Sequence, residues 1–190
     1  FDATNLRLGQ LRDDELLHRR AEIEGDGHVG RVDVVPGLEL RRRVLAADEA
    51  LDEAAKLPGV DRAEPMLEAS CTFSNGSYRK KGSITGLLSH AQLTVPRDLD
   101  GRPVRIPAHG LAMTRIMAAH LHLKVGDRVT IEPIKGEKIA RTARVAEIAD
   151  SYLGTAVYAE IHYLSRLVGE EFAVSGVQVL GDGNPRHREA

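Results

Sequence analysis

The chain has 190 residues, 42% apolar and 28% charged, with a formal net charge of −2 at pH 7. That length supports one domain or two small subdomains and buries roughly 70% of the unfolded surface without a covalent staple. A near-neutral chain with no Trp and only 4% aromatics excludes a global field for nucleic acid or anionic lipid, and excludes stacking platforms for single strands.

The core must therefore be aliphatic. Cys71 is the single cysteine, so an intrachain disulfide and a cysteine-rich metal site are ruled out. No run of about 18 apolar residues is present to span a bilayer, and no signal peptide is visible. Two basic clusters, Arg41-Arg42-Arg43 and Arg79-Lys80-Lys81, read as solvated edges.

Leu6, Leu8 and Leu11 alternate in part and suggest an opening strand. Residues 12–24 suit an amphipathic helix or surface arm, and Gly25, Gly27 and Gly30 break it. Val32, Val34 and Val35 lead into Pro36-Gly37, a strand ending in a turn. Asp48 is placed to cap a helix running to about Leu57, with Leu51, Ala54 and Ala55 as its stripe and Pro58-Gly59 as its stop. Val60 to Phe73 reads as extended chain, with Pro65 marking an edge or bend. Asn75-Gly76 signals a type I′ hairpin, returning as a strand over Tyr78 to Thr85. Residues 87–109, with Pro96, Asp100-Gly101, Pro103 and Pro107, are loop-like.

The most informative stretch is Leu111 to Glu132. Thr114 can cap a short helix, on which Ile116, Ala119, His120 and Leu123 share one face. Gly126-Asp127 is a turn dipeptide. Val129 and Ile131 then alternate with Arg128, Thr130 and Glu132, a strand with one wet face. Further strands are expected over Ala140 to Ala149, Tyr152 to Ala159 and Phe172 to Leu180, with a helix carrying Ile161, Leu164, Leu167 and Val168 between the last two. Residues 181–190 form a polar tail.

Chemistry is sparse. His120-x-His122 with nearby His109 is the best metal candidate, but no carboxylate cluster accompanies it. Ser70-Cys71 suits small half-buried strand positions, and no G-x-S-x-G elbow is present. Gly25 to Gly30 lacks the Gly-Lys-Ser/Thr ending of a phosphate loop. Asp13-Asp14 and Glu170-Glu171 are sequence neighbours, not separated carboxylates converging on a cleft. The expected set of catalytic, cofactor-binding and metal residues is empty.

Three blocks in order resemble the extracytoplasmic (periplasmic core) domain of MacB/FtsX-like ABC transporter permeases. They are Leu57-Pro58-Gly59-Val60 with Ala63-Glu64-Pro65; Gly110 to Thr114 with Ala118 to Leu121 and Val125 to Val129; and Tyr152-Leu153-Gly154 with Ala156-Val157-Tyr158, Leu164 and Leu167-Val168-Gly169. Together they cover roughly residues 48–180, and residues 12–47 stand outside the pattern as a possible inserted arm. The resemblance implies an α+β fold: a mixed α/β porter-like part from 1–86 plus 151–180, and a smaller β-rich insert at 87–150. It implies a non-enzymatic module in the cell inner membrane system, on the periplasmic or extracellular side, with its two ends brought together by flanking transmembrane helices. The start at Phe1-Asp2 fits a piece of such a protein. Such a domain transmits motion from cytoplasmic ATP hydrolysis to a lipid, lipoprotein, peptide or partner protein. Its implied partners are a separate ATP-binding subunit or domain, a second permease copy and a periplasmic or outer-membrane protein, with no nucleic acid. The Asn75-Gly76 hairpin and the Leu87 to Pro96 loop are the expected contact surfaces. Two other classes fit the residues: a small β-barrel binding module fused to a helical arm, favoured by a separate core for 100–150 with no close approach of the two ends, and an α+β enzyme, favoured by perturbed carboxylates or histidines in a cleft.

Overall fold

The computed structural model of the chain describes residues 4–7, 29–33, 47–57, 59–135, 138–151, 154–169 and 174–181. Its elements are β1 (Thr4–Arg7), β2 (Val29–Asp33), α1 (Ala47–Ala55), β3 (Val60–Asn75), β4 (Tyr78–Leu87), β5 (Leu111–Thr114), α2 (Arg115–His120), β6 (Arg128–Pro133), β7 (Arg141–Ala149), β8 (Val157–Glu160), α3 (Ile161–Val168) and β9 (Gly176–Gly181). They fall into two compact units, Phe1–Met66 with Ala173–Ala190, and Leu67–Phe172. The fold is α+β. No described helix is long and apolar enough to cross a membrane.

In the first unit the sheet order is β1-β2-β9-β3. β1 and β2 are parallel, and the other two pairings are antiparallel. Thr4 and Val179 flank Gly30 on either side, so the start of β1 and the end of β9 lie two strand spacings apart, about 10 Å. Ala54, Val177 and Val179 form the core, with Leu51, Val60, Ala63 and Val174 packed around them. The helix stripe is narrower than its sequence pattern, because Ala55 faces solvent. α1 also begins one residue ahead of the expected Asp48 cap. β2 lies within residues 12–47 and is an internal strand of this sheet. The helix expected over 12–24, the glycines at 25 and 27, the Pro36-Gly37 turn, Glu170-Glu171 and the tail beyond 181 lie outside the described residues.

In the second unit six strands close on themselves. β3 pairs with β4, β4 with β8, β8 with β5, β5 with β7, β7 with β6, and β6 returns to β3. Closure leaves no open edge in this ring, the liability of any isolated sheet. Alternation drives it: β6 buries Val129, Ile131 and Pro133 and exposes Arg128 and Glu132. Phe73, Ile84, Leu111, Val129, Ile131 and Val145 are inaccessible inside. The sequence boundary at 86/87 falls within β4 and that at 150/151 in the connection between β7 and β8; the compact units divide the chain at Met66/Leu67 and Phe172/Ala173.

Local chemistry fixes the helices. Thr114 is the N-cap of α2, its hydroxyl accepting from the Met117 N–H at 3.4 Å. Glu160 caps α3 in the same way from the Tyr163 N–H at 2.8 Å, and Gly169 ends it in the left-handed conformation with φ 84°. Ile161, Leu164, Leu167 and Val168 are all buried, as their spacing predicts. α3 packs on β4 at Gly86, where an added Cβ would lie 2.9 Å from Leu164 Cδ2.

Two readings need correction. α2 does not bury the expected face: Met117, Ala118 and Leu121 are buried, while Ile116 is 48% exposed and Ala119 and His120 face solvent; of the expected four only Leu123, beyond the end of the helix, is buried. The preceding Leu111–Thr114 run is a fully buried strand, which turns the helix by its own phase. The hairpin is also shifted by one residue. Asn75 pairs with Tyr78, so Gly76 and Ser77 form the turn, with positive φ at Gly76 alone. That is the signature of a II′ turn, not I′.

Candidate functional site

Among the described residues no catalytic constellation assembles. His120 is exposed at the end of α2, and the His122 ring stacks on Tyr78 with centroids 4.0 Å apart. His109 meets Tyr163 edge-on at 6.0 Å. Each histidine has a ring partner or solvent, and no group of three His, Cys, Asp or Glu among the described residues could hold a metal ion.

Cys71 is inside the barrel wall with no accessible surface, and its Sγ donates to the Ala69 carbonyl at 3.4 Å. Burial pushes its thiol up from 9.0 to about 11. A raised thiol pKa means the unfolded chain loses its proton first, so the folded state is disfavoured as pH rises between these two values. Two results are expected. Native protein resists alkylation by a neutral thiol reagent at pH 8. Thermal stability falls between about pH 9 and pH 11, and Cys71→Ala removes part of that fall. Burial also raises Tyr158 and Tyr163, so the variant keeps the remainder.

The nearest approach to an acidic cleft is a cavity of about 380 Å³ bounded by Asp98, Asp100, Glu147 and Asp150. Its three aspartates are held by local partners. Asp98 Oδ1 accepts from the Asp100 and Arg102 N–H groups at 2.9 and 2.8 Å. Asp100 pairs with Arg102 at 3.1 Å. Asp150 takes both the Nε and Nη2 of Arg115, and this guanidinium holds its carboxyl below the usual range.

The two expected contact surfaces do not meet. The hairpin tip and the loop from Leu87 to Pro96 sit at opposite ends of β4, a ten-residue strand roughly 30 Å long. Leu87 and Pro96 are buried, leaving Ser89, His90 and Gln92 as the exposed part of that loop. The hairpin end is the richer surface. Asn75 Nδ2 donates to the Leu121 carbonyl at 2.9 Å, tying the hairpin to the end of α2. His122 adopts φ 52°, a left-handed conformation unusual for a side chain with a Cβ. Register places Arg128 and the turn before it at the same end, since Thr130 lies opposite Ser74. Tyr78 is 46% and Val125 59% exposed there. Sequence reading identified the hairpin but not the Tyr78–His122 stack, because 44 residues separate the two rings along the chain; no local pattern links them.

Neither a protein-family model nor a curated protein sequence matches the chain. Two solved structures are similar to it, and the first shares its fold. One is the extracellular domain of the noncanonic ABC-type transporter YknZ from Gram-positive bacteria, at 15% identity over 75% of this chain and 76% of that one, with a TM-score of 0.51. Another is the periplasmic region of MacB from Actinobacillus actinomycetemcomitans, at 12% identity over 75% and 69%, with a TM-score of 0.48. The resemblance drawn from the sequence holds at the level of fold.

Proposed function

We propose that this chain is the non-catalytic extracytoplasmic domain of an ABC transporter permease. It stands on the outer side of the cell's cytoplasmic membrane and transmits motion from cytoplasmic ATP hydrolysis to a lipid, lipoprotein, peptide or partner protein. A separate ATP-binding subunit or domain supplies the energy, and a second permease copy and a periplasmic or outer-membrane partner complete the assembly. The observation that carries this reading is a fold shared with the extracellular domain of the YknZ transporter over three quarters of both chains. The placement of β1 and β9 supports it, since a module held by two membrane anchors needs its ends close together. Partner contact is assigned to the hairpin end of the barrel.

The test is the coding sequence on either side of Phe1 and Ala190. Apolar spans of about 20 residues on both sides are expected, with Lys and Arg enriched on their far, cytoplasmic flanks. An impermeant thiol reagent should then label a cysteine placed at Ser77 in intact cells or spheroplasts. Polar flanks overturn the proposal. They favour a second reading, supported by the closed six-stranded ring: a barrel-containing binding module without membrane anchors.

A further inference from the structure

The outer wall of the barrel, where β4, β3, β6 and β7 lie side by side, gathers positive charge. Register fixes which residues face outward. Ser74 lies opposite Arg79 on one side and Thr130 on the other, and Thr130 lies opposite Thr142. Opposite residues of an antiparallel pair share a face, as do positions i and i+2. Lys81, Arg128 and Arg144 therefore join Arg79 on the outside, and all four are exposed. The interleaved Phe73, Val129, Ile131 and Ala143 are buried inside. Of the basic run expected to be a solvated edge, Arg79 and Lys81 form one margin of a four-strand patch.

Glu132 answers Arg79 at 3.5 Å. Arg128 and Arg144 have no ion-pair partner among the described residues. They also lie directly opposite each other across β6 and β7. Like charges at directly opposed positions destabilise a sheet. The next outward pair along the same ladder, Thr130 with Thr142, shows the neutral alternative that the barrel readily accepts. Folding alone gives no reason for two unpaired guanidinium groups at this place. A partner bearing carboxylates does, because Arg meets carboxylates with two parallel hydrogen bonds.

We propose that this wall docks an acidic segment of a partner protein, with Arg128 and Arg144 receiving its carboxylates and Arg79 and Lys81 at the margin. The chemistry of the wall favours protein over membrane. Between the cations stand the hydroxyls of Ser74, Thr130 and Thr142, with no outward apolar side chain among them to enter a bilayer. The assignment rests on the charge pattern and stands apart from the transporter reading.

The test uses the whole 190-residue chain. Arg128→Thr and Arg144→Thr, made singly, should each raise the melting temperature by about 1–3 °C as the opposed charges are relieved. A short Glu/Asp-rich peptide titrated at low salt should shift amide resonances of β6 and β7. The double variant should weaken that binding roughly tenfold, while Lys56→Gln, an exposed cation of the other unit, should leave it unchanged. The proposal is overturned if both single variants lower the melting temperature, or if Lys56→Gln weakens binding as much as the double variant does. It is also overturned if vesicles containing phosphatidylglycerol retain the chain through these arginines while the peptide does not bind. That last result would assign the wall to a membrane surface.

Discussion

Phe73→Ala is expected to lower the stability of the barrel by about 3–5 kcal/mol, the range for removing a fully buried aromatic ring. Phe73 has no accessible surface. It stands on β3, the strand bonded both to β4 and to β6, so its ring lies where the barrel closes. Its cross-strand neighbour on β6 is Ile131, also buried, and Gly82 on β4 leaves space for the ring: a Cβ there would lie 3.4 Å from Phe73 Cε2. The strands on both sides are paired, so the wall resists collapse into the void. Denaturant unfolding should show the midpoint falling with little change in slope. A loss below about 1 kcal/mol would mean that the site relaxes freely, contrary to a close-packed closed barrel.

What the sequence made legible follows from what is local. The stripe of α3, the Thr114 cap, the Gly126-Asp127 turn and the alternation of β6 each rest on residues within two turns of one another, and each is present. Asp127 Oδ2 accepts from the Lys124 N–H at 2.8 Å, the short-range bond that makes this dipeptide a turn. What escaped is non-local. Closure of β6 onto β3 joins residues nearly 60 positions apart, Ser74 with Thr130, and no periodicity records it. The face of α2 was misread for a related reason. Ile116, Ala119, His120 and Leu123 fit a helical stripe, but Leu111–Thr114 is an inner strand that delivers Met117 to the core, and of the four only Leu123, past the end of the helix, is buried. Two apolar faces were available, and tertiary packing chose between them.

The candidate surface was half legible for the same reason. A turn dipeptide announced the hairpin tip, while Arg128 and Arg144 become opposed only when β6 and β7 pair in one register. Of the acids that came closest, Asp98, Asp100 and Asp150 are engaged by backbone amides or an arginine.

Gly110→Ala is the second large effect expected, a loss of about 2–5 kcal/mol, combining backbone strain with a steric clash. Gly110 has φ +90°, a region that residues with a Cβ rarely enter. An added Cβ would also lie 2.7 Å from the Arg144 carbonyl oxygen and 3.2 Å from Ala146 Cβ. A flexible side chain could swing away, but a strand carbonyl cannot move without disturbing the pairing of β7 on both sides. β5 begins one residue later, beside a register shift between Leu111 and Ala112. The glycine therefore lets two backbones approach at the point where a parallel pair starts out of step. Gly76→Ala supplies the comparison: its φ is +57° with nothing within 4 Å of an added Cβ, so only the conformational cost of about 1–2 kcal/mol remains. If the two variants lose the same stability, the close approach of β5 to β7 contributes nothing. If Gly110→Ala loses distinctly more, and the amides of Arg144 and Val145 lose hydrogen-exchange protection with it, that approach holds the ring closed. The glycine that opens the central motif would then be there for the barrel and not for the helix that follows.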